Sequence, residues 1–209
     1  MQGTLKSSGT LIARKIACKK APISWRLRNA LRWGFIKGWV AAHLVAPFAN
    51  LWGVATFMGS LSIRVRHADG SWVDYGTVSY RVITSAGVGF IVDSWQNLVE
   101  MENMIYHGCG TGTTAEASSD TALQTESTTA LNPDSTRATG TQSEAAANII
   151  QSVGTLTFDA SAAITEHGLF SQAATGGGTL WDRSVFSAIN VVSGDSIQFT
   201  YQGTLTAGG

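Results

Sequence analysis

Leu61, Ile63 and Val65 alternate with Ser62, Arg64 and Arg66, and the same period of two returns at Ile197, Phe199, Tyr201 and Leu205 near the C-terminus. A period of two places successive side chains on opposite faces of a strand, so these stretches must form sheets with one apolar face. The turn Ala68-Asp69-Gly70-Ser71 joins the first run to Trp72-Val73-Asp74-Tyr75 as a hairpin. A second strand pair is expected in Thr77–Thr84 and Val88–Val92, broken at Ala86-Gly87. Further strands are expected near Asn148–Phe158, Ala163–Ser171, Ser184–Val192 and Asp195–Leu205, the last entered through the turn Val192-Ser193-Gly194-Asp195. The stretch from Trp95 to Tyr106 carries no clear pattern. From Gly108 to Gly140 the chain is Thr, Ser, Gly and Ala with Leu123 and Leu131 as its large apolar residues, so a Thr/Ser/Gly-rich loop system is expected over about 108–147. Many short strands separated by turn residues at intervals of about 8–12 predict a mainly β chain, an antiparallel β-sandwich or jelly-roll rather than an α/β enzyme.

The chain before Ser60 reads differently. Leu27, Leu31, Phe35, Ile36, Trp39, Val40 and Leu44 recur at spacings of three to five, the stripe of a helix. One helix of five or six turns is expected from Ile23 to about Trp52, with Ser24 as N-cap and Pro47 ending or kinking it near Ala46. The division is therefore a basic, Trp-rich arm over 1–59 and a β body over 60–209.

Charge separates the same two parts. The chain is formally neutral, yet all 14 acidic residues lie at or after Asp69 and 11 of the 14 basic residues lie before it. The part before Asp69 thus carries +11 and the remainder −11, which suggests an arm that meets nucleic acid, a membrane or an acidic protein groove. Only 13% of residues are charged, against roughly 25% in an average protein, and so sparse a charge is suited to a surface that meets other protein. Trp25, Trp33, Trp39 and Trp52 fit two readings: packing on the chain's own body, or anchoring the arm in a neighbouring subunit. Trp and Arg are enriched at interface hot spots, so Trp25, Arg28, Arg32, Trp33, Lys37, Trp39 and Trp52 are the candidate partner-binding residues. The stretch Gly38–Met58 has no formal charge and is long enough for a membrane span. It contains Gly38, His43, Pro47, Asn50 and Gly53 and follows an unusually long basic flank, which argues against a span or a signal sequence. No named nucleic-acid module is present, so nucleic acid has only the basic charge in its favour.

Enzymatic motifs are weak. His107-Gly108-Cys109-Gly110-Thr111-Gly112 lacks the Lys-Ser/Thr of a P-loop, and His107 with Cys109 lacks an orienting third residue, so the run is expected to be a tight glycine turn. The four histidines are scattered, which gives no metal-ligand spacing. Glu166-His167 and Asp182-Arg183 are expected to form a partly buried polar network between strands. Cys18 and Cys109 are expected as reduced thiols. The expectation is a protein without catalytic residues, cofactor or metal.

His107-Gly108-Cys109-Gly110-Thr111-Gly112-Thr113-Thr114-Ala115-Glu116, Arg137-Ala138-Thr139-Gly140-Thr141-Gln142, Ile164-Thr165-Glu166-His167-Gly168-Leu169-Phe170, Leu180-Trp181-Asp182-Arg183-Ser184-Val185-Phe186 and Gly194-Asp195-Ser196-Ile197-Gln198-Phe199-Thr200-Tyr201 follow in that order. Together they resemble a group of tailed-bacteriophage virion structural proteins, over roughly Ser60–Gly209. The resemblance implies a homo-oligomeric particle component assembled in the host cytoplasm and bound to other virion proteins: a capsid decoration (cement) protein, or alternatively a neck or tail component. An alternative of another class is a membrane-anchored protein using 38–58. Two positions depart from the group's pattern: Trp181, where a smaller aliphatic residue is usual, and Gly203, which interrupts the last alternation. The arm has no counterpart in that group.

Overall fold

The computed structural model describes residues 18–209 apart from Arg81; the part of the expected arm before Cys18 lies outside the described residues. The described chain is mainly β, built as two sheets. The strands are β1 (Cys18–Lys20), β2 (Thr56–Arg66), β3 (Trp72–Tyr80), β4 (Val82–Ile83), β5 (Tyr106–Gly110), β6 (Ala138–Thr139), β7 (Thr141–Ala146), β8 (Ile149–Thr157), β9 (Ala162–Phe170), β10 (Leu180–Val191) and β11 (Ser196–Thr206). One sheet has the order β1-β3-β2-β11-β8-β7 and the other β4-β10-β9-β5-β6.

The alternating residues do what their period demands. Leu61, Ile63 and Val65 of β2, Leu156 of β8 and Ile197 and Phe199 of β11 point from the first sheet. They meet Cys109, Ile164, Phe186, Ile189 and Val191 from the second in one shared core. Full burial of such aliphatic or aromatic side chains contributes about 1.5–3 kcal/mol each, which is why the register of β2 and β11, from Ser196↔Arg66 to Thr206↔Thr56, is fixed along its length. Leu205, expected on the inner row, is 54% exposed, at the edge of an open cavity rather than in the shared core.

Several expectations need correction. The single helix over 23–52 is instead α1 (Ile23–Ala30) and α2 (Trp33–Val40), which continues through a π-helical turn at Ala41–Val45 into α3 (Ala46–Leu51). Arg32 leaves helical geometry at ψ 136° and separates α1 from α2. Pro47 does not stop the helix. It sits in the first turn of α3, where its missing N–H falls just after the wider π-turn closed by Ala46 N–H to Ala41 O. Pro22, not Ser24, precedes the first turn of α1.

Val88–Val92 is not a strand but part of α4 (Ser85–Trp95). Thr84 caps it by accepting from Gly87 N–H at 2.9 Å, and an added Cβ at Gly87 would lie 2.5 Å from Trp181 O, so glycine here permits close packing on β10. The glycine run at 107–110 is not a turn: it is β5, paired with β9 from Tyr106↔Phe170 to Gly110↔Glu166. Its glycines leave room for a second layer, since Glu126, Phe170 and Arg137 crowd the position of a Gly108 Cβ.

Candidate partner interface

Helix α1 turns two residues inward. Trp25 is 6% exposed and donates its indole N–H to Ala188 O at 2.8 Å, and Asn29, one turn on, donates to Val78 O at 2.8 Å while accepting from Ser187 N–H at 2.9 Å. Trp25 is thus part of the shared core, with Tyr75 edge-on at 4.6 Å, and does not face outward with the other candidate residues. The physical reason is spacing: positions 25 and 29 lie on the face opposite Ile23, Leu27 and Leu31. Asn29 escapes a reading of the sequence, because a buried amide in a helix carries no periodic signal.

The apolar stripe of the sequence lies mostly on the outside. Leu27, Leu31, Leu44, Val45, Phe48 and Leu51 are exposed, Trp33 is 72% exposed, Trp52 78% and Trp39 42%. Arg28 and Lys37 stand exposed among them, and Arg32 is half-buried. Among the described residues none of these three cations makes an ion pair. Helix α2 is fastened from beneath by Phe35 against Tyr80 at 5.6 Å, and a Cβ at Gly38 would meet Tyr80 O at 2.5 Å. The result is a helical surface with exposed cations on which Trp39 stacks on His43 at 4.8 Å while Leu27, Leu31, Trp33 and Trp52 stand largely in solvent. Monomeric proteins rarely expose contiguous apolar patches beyond a few hundred Å².

The loop from Thr111 to Thr136 is tied to the chain itself. Glu166, fully buried in β9, accepts from Gly112 N–H at 3.0 Å, Thr125 N–H at 2.8 Å, Gln124 N–H at 3.0 Å and Arg183 Nε at 2.9 Å. Arg183 reaches on to Asp120 at 2.9 Å and Thr114 O at 3.2 Å. Burial pulls the Arg183 guanidinium down, but the carboxylates of Asp120 and Glu166 outweigh it and its pKa is raised. Arg137 is fastened likewise to Glu126, at 2.6 and 3.0 Å, and lies 3.4 Å over the Phe170 ring. Arg183 thus pairs across strands as the sequence predicts, and the same network holds the loop.

His107, behind it, contacts His167 through Nδ1 at 3.0 Å and Ser152 Oγ through Nε2 at 2.9 Å. Gly154 makes space for the ring, since a Cβ there would lie 2.5 Å from its Cδ2. Cys109 is fully buried, and burial pushes its thiol far up, so the thiolate a nucleophile requires is strongly disfavoured. Among the described residues no cluster of three or more His, Cys, Asp or Glu could hold a metal ion, and no helix is long and apolar enough to cross a membrane.

Trp181 and Gly203 meet at one end of the sheets. Trp181 donates to Tyr201 Oη at 2.8 Å, Phe57 stands edge-on to Trp181 at 5.7 Å, and the Phe57 ring fills the space a Gly203 side chain would take. Gly203 therefore does not interrupt β11, which runs on to Thr206. Phe57, Trp181 and Tyr201 line a cavity of about 650 Å³.

No protein-family model matches the sequence, and no curated protein matches it significantly.

Proposed function

We propose that the chain is a structural subunit of a tailed-phage particle, a β-sandwich of jelly-roll type whose basic helical arm docks on a neighbouring virion protein. The observation that carries this reading is the outward apolar stripe of α1–α3, with Trp33 and Trp52 among its most exposed side chains and Lys37 and Arg28 beside them. Side chains of this kind are the anchors of protein interfaces. The order of motifs between Ser60 and Gly209 supports the phage assignment. A rigid β body with an ion-paired loop suits a part made in many copies.

A decoration protein on the shell is the preferred position, with the neck or tail as the alternative. Quantitative mass spectrometry of purified particles tests both. Hundreds of copies support the shell, a dozen or fewer the neck or tail, and absence from particles overturns the reading. Flotation with anionic vesicles tests the membrane alternative: binding there, without presence in particles, would favour it.

A further inference from the structure

The cavity beside Trp181 is another apolar feature that is open to solvent among the described residues. Phe57, Ile91, Met104, Leu169, Trp181 and Tyr201 form its wall, and Trp95, 84% exposed, stands at its mouth. A shallower depression of about 570 Å³ adjoins it through Gln142, Ile150 and Leu205. Glu102 lines the first and Glu144 the second, and among the described residues no lysine or arginine lines either. Both carboxylates are exposed, and among the described residues no cation pairs with either.

This acidic, apolar surface complements the apolar face of α2, where Trp33 is flanked by Arg32 and, one turn on, by Lys37, two cations against the single carboxylate of Glu116 that lines the same hollow. One chain cannot join its own two surfaces. Met58 lies with Trp33, Lys37 and Tyr80 under α2, and Thr56, Thr204 and Thr206 lie with Met58 under α3, all on the outer face of the first sheet. Phe57, Tyr201 and Leu205, the alternate residues of the same two strands, face the cavity. The sheet stands between donor and acceptor.

We propose that these are the two halves of one head-to-tail interface: α2 of one copy seats on the cavity of a second copy, with Trp33 as the apolar anchor and Lys37 facing Glu102 and Glu144. This rests on the reading above that the helical face binds protein, and it names the partner. Because the two surfaces differ, the contact is heterologous, and repetition gives a ring where the rotation closes and a filament where it does not. The asymmetry of charge along the chain, with no acidic residue before Asp69, then serves recognition between copies and suppresses face-to-face pairing of like surfaces.

The test uses the full chain in sedimentation velocity over a concentration series. Wild-type protein should assemble beyond a dimer. Trp33→Ala should weaken self-association at least about 30-fold, the size of a hot-spot loss. Lys37→Glu alone and Glu102→Lys with Glu144→Lys alone should each be monomeric, and all three changes in one chain should restore assembly, which also shows that the variants fold. A donor-defective chain carrying Trp33→Ala mixed with an acceptor-defective chain carrying Glu102→Lys and Glu144→Lys should give one-to-one dimers and nothing larger. Wild-type protein that stays monomeric, assembly indifferent to these changes, or a mixture that gives no dimer overturns the proposal. Presence in particles without this charge-swap behaviour would leave the virion reading standing and remove the inference; the reverse result would do the opposite.

Discussion

The indole N–H of Trp25 donates to the carbonyl oxygen of Ala188 at 2.8 Å, a bond that joins a helix near the start of the described chain to a strand near its end. Trp25 and Trp33 share the same short helical region, yet one is 6% exposed and the other 72%, so the tryptophans there divide into a structural one and a set turned outward.

Stability measurements should separate them. Trp25→Ala removes a buried indole and leaves a cavity, and should cost about 3–5 kcal/mol in denaturant unfolding. Trp33→Ala and Trp52→Ala should change the stability of the monomer by no more than about 0.5 kcal/mol. A small effect at Trp25 would show that α1 does not complete the core.

Removal of the Glu166 charge tests the polar network. Glu166→Gln leaves the buried guanidinium of Arg183 with Asp120 as its remaining carboxylate partner, and breaking a buried pair costs about 3–5 kcal/mol. The segment from Thr113 to Gln124 should become a site of limited proteolysis. A variant of unchanged stability and protease resistance would contradict this account of the loop.

At Gly154 an alanine would place its Cβ 2.5 Å from the His107 ring. Displacing the imidazole or the strand should cost about 1–3 kcal/mol, as overpacking does, and should shift the His107 and His167 ring resonances in NMR spectra. Unperturbed resonances would show that the pocket around His107 is looser than its geometry indicates.

Cys109 sets an alkaline limit. Its folded pKa is raised by burial above the unfolded value of 9.0, so the folded state retains its proton where the unfolded state loses it. The stability is fully present below pH 9 and declines as pH rises beyond it, by up to about 1.4 kcal/mol per pH unit from this group. Tyr75 and Tyr80, also raised by burial, act in the same sense above pH 10. Cys109→Ala should flatten the decline between pH 9 and 10, and in wild type Cys18 should alkylate readily while Cys109 waits for unfolding. Equal decline in the variant would place the effect elsewhere.

The strands β2, β8 and β11 are legible because burial of one face enforces their period, and β9 and β10, buried on both faces over most of their length, are legible as largely apolar runs bounded by turn residues; these strands lie within a few residues of their expected positions. Val88–Val92 misleads because a short apolar run has no period of its own, and the Thr84 cap together with packing on Trp181 makes it helix. His107–Gly110 misleads for the opposite reason. Its glycines serve close packing between layers, with φ in the ordinary extended range, so turn chemistry is the wrong physics there.

By itself the sequence determined the apolar faces of β2 and β11, the helical stripe of 23–52 and the separation of positive from negative charge, because each is a local pattern whose period or sign needs no distant partner. Tertiary structure alone decided that this stripe faces outward while Trp25 and Asn29 face inward, that Glu166 holds the 111–136 loop, and that Trp181, Phe57 and Gly203 shape a cavity. Those outcomes depend on strands from opposite ends of the chain meeting at atomic distance, and one residue's spacing from its sequence neighbours carries no information about such a meeting.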